Sequence, residues 1–118
     1  MQVSLQSDDG GIVQVQVTGK VTQKHINPFS EPLSDLLGPE VYSRKVLLDM
    51  RGVEFLDSSG IGWLLVCHKR FREAEGKLVL HSPSPLARNV LKVLNMQLVF
   101  KVADDEDEAL QMVEGRVQ

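Results

Sequence analysis

The chain has 118 residues, of which 42% are hydrophobic, and this is enough apolar content for one domain with a single core. Its net charge of −3 argues against a nucleic-acid-binding protein, because such a protein needs a basic face to displace counterions from phosphates. No apolar run approaches the roughly 20 residues of a membrane span, and the N-terminus lacks the features of a signal peptide. We therefore expect residues 1–118 to form a single cytoplasmic domain that does not insert into a membrane.

Alternating polarity at the start of the chain predicts a β-hairpin. Val3 and Leu5 alternate with polar residues, an Asp/Gly turn occupies residues 8–11, and alternation resumes over residues 12–17. The second strand ends at Gly19 unless Val21 prolongs it.

A short helix with leucines on one face is expected after the hairpin. Asn27 or Ser30 is placed to cap this helix, and Pro32 fits early in its first turn. The pair Gly38-Pro39 should end it.

The next segment combines a buried strand with the longest helix of the sequence. The continuous apolar run 46–50 predicts a strand that is buried on both faces, and a polar turn follows it. Apolar residues at helical spacing over 61–71 predict an amphipathic helix, whose apolar face Val66 and Cys67 widen. Gly76 is a natural C′ residue for this helix.

Strands and helices continue to alternate up to the end of the chain. Further strands are expected at 77–80 and 98–102, and Ser84 should cap a helix that has Pro85 as its first residue. We interpret the acidic run 104–108 as the first turn of a last helix, where carboxylates favour the positive end of the helix dipole, and not as a metal site. This order of elements predicts an α/β domain with a mixed sheet of four to five strands.

The sequence contains none of the common motifs that carry catalysis or hold a cofactor. Gly60 and Gly62 are followed by Leu65 where a dinucleotide-binding fingerprint requires a third glycine, and no Gly-Lys-Ser/Thr phosphate loop occurs. The serines at 58 and 59 do not lie in a Gly-x-Ser-x-Gly motif, and the three histidines lack the spacing of metal ligands. We therefore expect no cofactor and no metal, and an enzyme is the weaker functional class.

The turn Asp57-Ser58-Ser59-Gly60 lies between the predicted buried strand and the long helix. A Ser or Asp at this place caps a helix, because its side-chain oxygen accepts a hydrogen bond from a free backbone amide. A hydroxyl here can also accept a phosphate, whose negative charge the amides and the helix dipole stabilise. Beside Asp57 and Glu54, such a phosphate would switch the binding of a partner that docks on this helix end.

The segment 46–62, which reads VLLDMRGVEFLDSSGIG, resembles the signature of STAS domains, the anti-sigma-factor antagonist family. The hairpin that ends at Gly19, the return at Gly76-Lys77-Leu78, the pair Ser84-Pro85 and the segment 100–110 also match the layout of that family. The resemblance covers essentially the whole chain. It implies a mixed sheet with helices packed largely on one face, and no catalytic activity.

The resemblance also implies a partner and a set of site residues. In the bacterial regulators of this family, the unphosphorylated domain binds a serine-kinase anti-sigma factor and so frees the sigma factor. The kinase phosphorylates the serine just before the motif glycine, which is Ser59 here, and a phosphatase reverses the reaction. On this basis Asp57 and Ser58 shape the turn, while Gly60 and Gly62 let a partner approach the backbone closely.

The sequence departs from many of these regulators just after the second strand. They carry an acidic residue there, whereas this chain reads Gly19-Lys20-Val21-Thr22, with Thr22 near that place. Thr22, Lys24, His25 and Phe29 would form a different contact surface for another partner, or simply an ordinary loop. The alternative function is a constitutive STAS scaffold subunit of a signalling or lipid-transport complex that does not use phosphorylation.

Overall fold

The computed structural model describes residues 1–22 and 31–115. Among these residues there are five strands and four α-helices. Their bounds are β1 (Gln2–Asp8), β2 (Ile12–Val21), α1 (Pro32–Leu37), β3 (Lys45–Leu56), α2 (Ser58–Glu73), β4 (Lys77–His81), α3 (Pro85–Val93), β5 (Lys101–Ala103) and α4 (Glu106–Val113). Short 3₁₀ segments occupy Pro39–Ser43 and Met96–Leu98. None of the helices in the described part of the chain has the length and apolar character needed to cross a bilayer.

The five strands form one sheet in the order β1-β2-β3-β4-β5. Only β1 and β2 pair antiparallel, and the other neighbours are parallel. Because β2 to β5 follow one another in sequence, right-handed crossovers place α1, α2 and α3 on the same face of the sheet. These three helices share one core cluster, whereas α4 packs on the other face with a second, smaller cluster. The expected mixed sheet, with helices largely on one face, is confirmed.

The central strand β3 is buried on both faces in its first half, as its continuous hydrophobicity predicts. Val46 and Leu48 belong to the larger cluster under α1, α2 and α3. Leu47, between them, points to the other face and packs with Ala109 and Val113 of α4. Alternate residues of one apolar run therefore fill two separate cores.

The end of β3 differs from the prediction. β3 does not stop near Met50 but continues to Leu56, so the predicted polar turn shrinks to the single residue Asp57. The extension is possible because β2 also continues past Gly19, and its last residue, Val21, pairs with Leu56. The alternative in which Val21 prolongs the second strand is therefore confirmed.

The last strand is shorter than predicted. β5 covers Lys101–Ala103 and not 98–102, because the chain forms a 3₁₀ turn over Met96–Leu98 before it reaches the sheet. That turn leaves the side chain of Leu98 82% exposed.

The long helix α2 shows two further differences. Its buried side is centred on Trp63, Leu64 and Cys67, so Val66 faces outward and does not widen the apolar face as predicted. Gly76 is not its left-handed C′ residue, since Glu75 takes that conformation with φ of 64°. Gly76 is required for another reason: a Cβ atom there would lie 2.1 Å from the backbone oxygen of Tyr42. Cys67 is a buried core residue, as expected.

The helix caps are carboxylates and a serine. Glu31 caps α1 by accepting from the amides of Leu33 and Ser34, and Pro32 is the first helical residue, as predicted. The predicted cap was therefore wrong: it is Glu31 and neither Asn27 nor Ser30, which lie outside the described residues. Ser84 caps α3, also as predicted, and Asp105 caps α4 with three acidic residues in the first turn.

Candidate functional site

The candidate site lies at the edge of the sheet where two parallel strands end together. Val21 of β2 pairs with Leu56 of β3, and both strands end at this pair. Asp57 follows in an extended conformation, and α2 begins at Ser58. The carboxyl ends of parallel strands are a common location for binding sites in α/β folds, so this edge is a suitable place for a functional turn.

Asp57, and neither serine, is the cap of α2. Its Oδ1 atom accepts a hydrogen bond from the Gly60 amide at 2.9 Å and another from the Ser59 hydroxyl at 2.6 Å. The Ser59 hydroxyl, followed by the Gly60 amide, holds the pKa of the Asp57 carboxyl below its usual range. The sequence left the cap open between Ser and Asp, and the structure assigns it to Asp57.

The two serines occupy the first two positions of the helix but differ in exposure. Ser58 is exposed, whereas Ser59 is half-buried and its hydroxyl donates to Asp57. The Ser59 oxygen therefore has a defined position relative to a carboxylate and to the start of α2. This orientation distinguishes Ser59 from Ser58 as a candidate site of modification.

The two glycines of the motif have different surroundings. Gly60 is buried, and a Cβ atom there would lie 2.2 Å from the backbone oxygen of Val21, so packing within the domain alone requires a glycine. At Gly62 a Cβ atom would meet nothing within 4 Å. Of the two positions, only Gly62 leaves open space beside the helix backbone.

The structure brings Thr22 to the same edge. Thr22 is buried and directly follows Val21, whose carbonyl oxygen packs against Gly60. Asp57, Ser58, Ser59, Gly60 and Thr22 therefore belong to one region. The remaining predicted contact residue, Lys24, lies outside the described residues, as do His25 and Phe29.

A buried carboxylate beside α2 was not predicted from the sequence. Glu31 is only 4% exposed, and its Oε1 atom accepts hydrogen bonds from the indole nitrogen of Trp63 at 2.6 Å and from the Cys67 thiol at 3.4 Å. The Tyr42 hydroxyl donates to its other oxygen. Arg70 in turn donates to the Tyr42 hydroxyl at 3.2 Å. We call Glu31, Tyr42, Trp63 and Cys67 the Glu31 cluster.

The sequence contains little that could have revealed the Glu31 cluster. Glu31 directly before Pro32 is compatible with a helix start, but its hydrogen-bond donors come from residues up to 36 positions away. Burial, together with the nearby Glu31 carboxylate, raises the pKa of the Cys67 thiol, so this cysteine stays protonated. Trp63 is a core residue.

The described residues contain no group of histidine, cysteine and carboxylate side chains arranged to hold a metal ion. His68 makes an edge contact with the ring of Phe100 at 5.7 Å, and His81 is buried at the end of β4. Burial lowers the pKa of His81, which favours its neutral form. Both histidines are accounted for by packing.

Comparison with known proteins agrees with the fold. The family model described as STAS domain matches residues 6–109. The chain belongs to the STAS domain family. The matched residues include both strands that end at the Asp57 turn and the whole of α2.

Three relatives illustrate how this STAS domain compares in sequence. It is 30% identical over 66 residues to a Bordetella bronchiseptica protein described as anti-sigma factor antagonist BtrV, and 33% identical over 72 residues to a Thermotoga neapolitana anti-sigma factor antagonist homologous to TM1081. These matches cover 56% and 61% of this chain, and 57% and 64% of the relatives. A STAS-domain containing protein of Pseudomonas aeruginosa is 25% identical over 100 residues, which are 85% of this chain and 96% of that protein.

Solved structures show the same fold at lower sequence identity. An anti-sigma factor antagonist from Thermotoga maritima has a TM-score of 0.80 at 22% identity, with 94% of this chain and 93% of that chain covered. The unphosphorylated form of the anti-sigma factor antagonist SpoIIAA has a TM-score of 0.70 at 20% identity, with 99% and 100% covered. At these identities the likeness concerns the fold alone.

The two motif glycines should respond oppositely to alanine. Gly60→Ala should lower the free energy of unfolding by about 2 kcal/mol or more, because the added methyl group collides with a backbone carbonyl that cannot move without distorting β2. Gly62→Ala should raise it by about 0.5–1 kcal/mol, because alanine costs less entropy than glycine inside a helix and finds open space here. Urea denaturation of both variants measures the difference. Equal effects would contradict the packing of Gly60 on Val21.

The pKa of Asp57 should depend on the Ser59 hydroxyl. In a carboxyl-carbon NMR titration, the pKa of Asp57 should lie below the usual range of aspartates, and Ser59→Ala should move the midpoint upward because the hydroxyl that donates to Asp57 is lost. Since the folded-state pKa is depressed, the stabilisation by ionised Asp57 is present above the unfolded pKa and disappears as the pH falls through the folded one. Ser58→Ala is the matched control and should leave the midpoint unchanged. An unchanged midpoint in Ser59→Ala would contradict the hydrogen bond.

Proposed function

We propose that this STAS domain is a regulatory binding module of the anti-sigma-factor antagonist type, switched by reversible phosphorylation of Ser59. In this proposal the unphosphorylated domain binds a serine-kinase anti-sigma factor, the kinase phosphorylates Ser59, and a phosphatase removes the phosphate. The observation that carries the proposal is the Ser59 hydroxyl, held by Asp57 at the start of α2. The relatives named as anti-sigma factor antagonists support it, although this chain spans only about 57–64% of the length of two of them.

A phosphate on Ser59 would change the charge of the turn directly. The hydroxyl would lose the hydrogen that it now donates to Asp57, and a group with roughly 1.5–2 negative charges would stand beside that carboxylate. The positive end of the α2 dipole would offset part of the repulsion. The exposed carboxylate of Glu54 precedes the turn and would add to the negative potential. A partner that fits the unphosphorylated turn would therefore meet both the added bulk of the phosphate and electrostatic repulsion.

The outer face of α2 provides a surface for a protein partner. Ser58 and Gly62 lie on this face, one turn apart, and Leu65 and Val66 continue it with 38% and 44% of their surface exposed. Leu65 and Val66 are adjacent and expose apolar surface beside an open glycine, and a contiguous apolar patch is a feature of protein contact surfaces. We include Asp57, Gly60 and Thr22 in the proposed binding site, because they determine the shape of the chain beneath this surface. The family consists of binding regulators, and no enzymatic role is proposed.

The phosphorylation site can be tested with the purified chain, ATP and a serine-kinase anti-sigma factor from the same organism. Mass spectrometry should find one phosphate, on Ser59, because Asp57 orients this hydroxyl at the start of α2. Ser59→Ala should abolish the modification. The matched control Ser58→Ala should still receive one phosphate, on Ser59, because Ser58 is exposed and the Ser59 hydroxyl keeps its hydrogen bond to Asp57. Phosphate on Ser58, or a stable complex that forms without any phosphorylation, would contradict the proposal. A stable complex without phosphorylation would favour the alternative function, a constitutive scaffold subunit.

A further inference from the structure

The Glu31 cluster joins the start of α1 to the helix that carries Ser59. Glu31 caps α1 through the amides of Leu33 and Ser34, and the same carboxylate accepts from Trp63 and Cys67 on α2. One side chain therefore belongs to the hydrogen-bond systems of both helices. The 3₁₀ segment between α1 and β3 is a third element of this network, because the hydroxyl of its Tyr42 donates to the Glu31 carboxylate.

The position of Trp63 connects this cluster to the functional turn. Trp63 follows Ser59 by four residues and Cys67 follows Trp63 by four, so all three lie on one side of α2 at successive turns. Glu31 therefore contacts the side of α2 that begins at Ser59. Near the start of α2, Gly60 packs against the carbonyl of Val21. This contact holds the helix against the sheet, but it does not connect the helix to α1.

A buried carboxylate is an expensive way to hold two helices together. Removing a charged group from water costs several kcal/mol unless hydrogen bonds compensate for it. Here five donors surround the Glu31 carboxylate, and none of the buried side-chain polar atoms in the described residues lacks a hydrogen-bond partner. Apolar contacts could stabilise the two helices equally well. Hydrogen bonds are directional, however, so the donors around the carboxylate also fix how the elements that carry them are rotated and shifted relative to one another.

We propose that Glu31 is a positioning residue for the Ser59 turn. Its carboxylate sets the place of the first half of α2 relative to α1 and the 3₁₀ segment, and thereby the geometry in which Ser59 meets its kinase. Glu31 itself is buried and does not touch the partner. The effect on the kinase rests on the function proposed above, whereas the effect on the turn does not.

Hydrogen exchange tests the effect on the turn without any partner. In Glu31→Gln, exchange of the Gly60 and Ile61 amides, which bond to Asp57, should increase by about tenfold, as expected for the loss of a hydrogen bond to a charged group. The stability control is Val79→Ala, which removes core contacts under α4 on the opposite face of the sheet. Urea can bring both variants to the same global stability, and at that point only Glu31→Gln should show the faster exchange. Equal exchange in the two variants would overturn the proposal.

A second pair of variants separates positioning from general stabilisation. Trp63→Phe and Tyr42→Phe each remove one donor to Glu31, but only Trp63 lies on α2. Exchange at Gly60 and Ile61 should rise more in Trp63→Phe than in Tyr42→Phe, compared at equal global stability. This pair of variants tests the positioning role of Glu31 even if Glu31→Gln fails to fold. A larger effect of Tyr42→Phe would overturn the proposal.

Phosphorylation kinetics then test the consequence for the kinase. Glu31→Gln should raise KM for Ser59 phosphorylation by about tenfold with little change in kcat, while Val79→Ala should leave both unchanged. If the wild-type chain is not phosphorylated, the proposed function fails, and hydrogen exchange still decides the role of Glu31. If the wild type is phosphorylated and the KM of Glu31→Gln is unchanged, the positioning role fails alone.

Discussion

The hydrogen bonds to the Asp57 carboxylate determine the geometry of the turn between β3 and α2. The strand β3 ends one residue earlier, and the backbone must pass into a helix whose first amides have no partner within the helix. Asp57 satisfies the Gly60 amide and at the same time orients the Ser59 hydroxyl. Capping and the proposed signalling therefore use the same carboxylate. A phosphate at Ser59 would act on the group that holds the start of the helix.

Two further constraints keep this helix end in place, and they act on different sides. Gly60 allows α2 to approach the Val21 carbonyl, so the helix is fixed to the end of β2. The Glu31 carboxylate fixes the next two turns to α1 through Trp63 and Cys67. Together they connect the turn to the sheet and to the neighbouring helix. The outer side of α2, with Gly62, Leu65 and Val66, is left facing away from the core.

Local chemistry explains which of these features the sequence could predict. The continuous run over β3 predicted burial on both faces, and the turn chemistry predicted a cap at residues 57–59. The extension of β3 to Leu56 was missed, because it depends on pairing with a β2 that also continues past Gly19. The Glu31 cluster and the packing of Gly60 on Val21 join residues that are distant in sequence, and periodicity carries no information about such contacts. The outward position of Val66 follows from the rotation of α2 towards Trp63, which only the folded core determines.

In the proposed function, one turn both starts α2 and switches the binding of a partner. Calorimetry with the serine-kinase anti-sigma factor, using unphosphorylated chain and chain phosphorylated at Ser59, tests it most directly. The phosphorylated form should bind about tenfold more weakly or worse, because the added charge stands beside Asp57 at the contact surface, and high salt should reduce the difference. Equal dissociation constants for the two forms would contradict the claim.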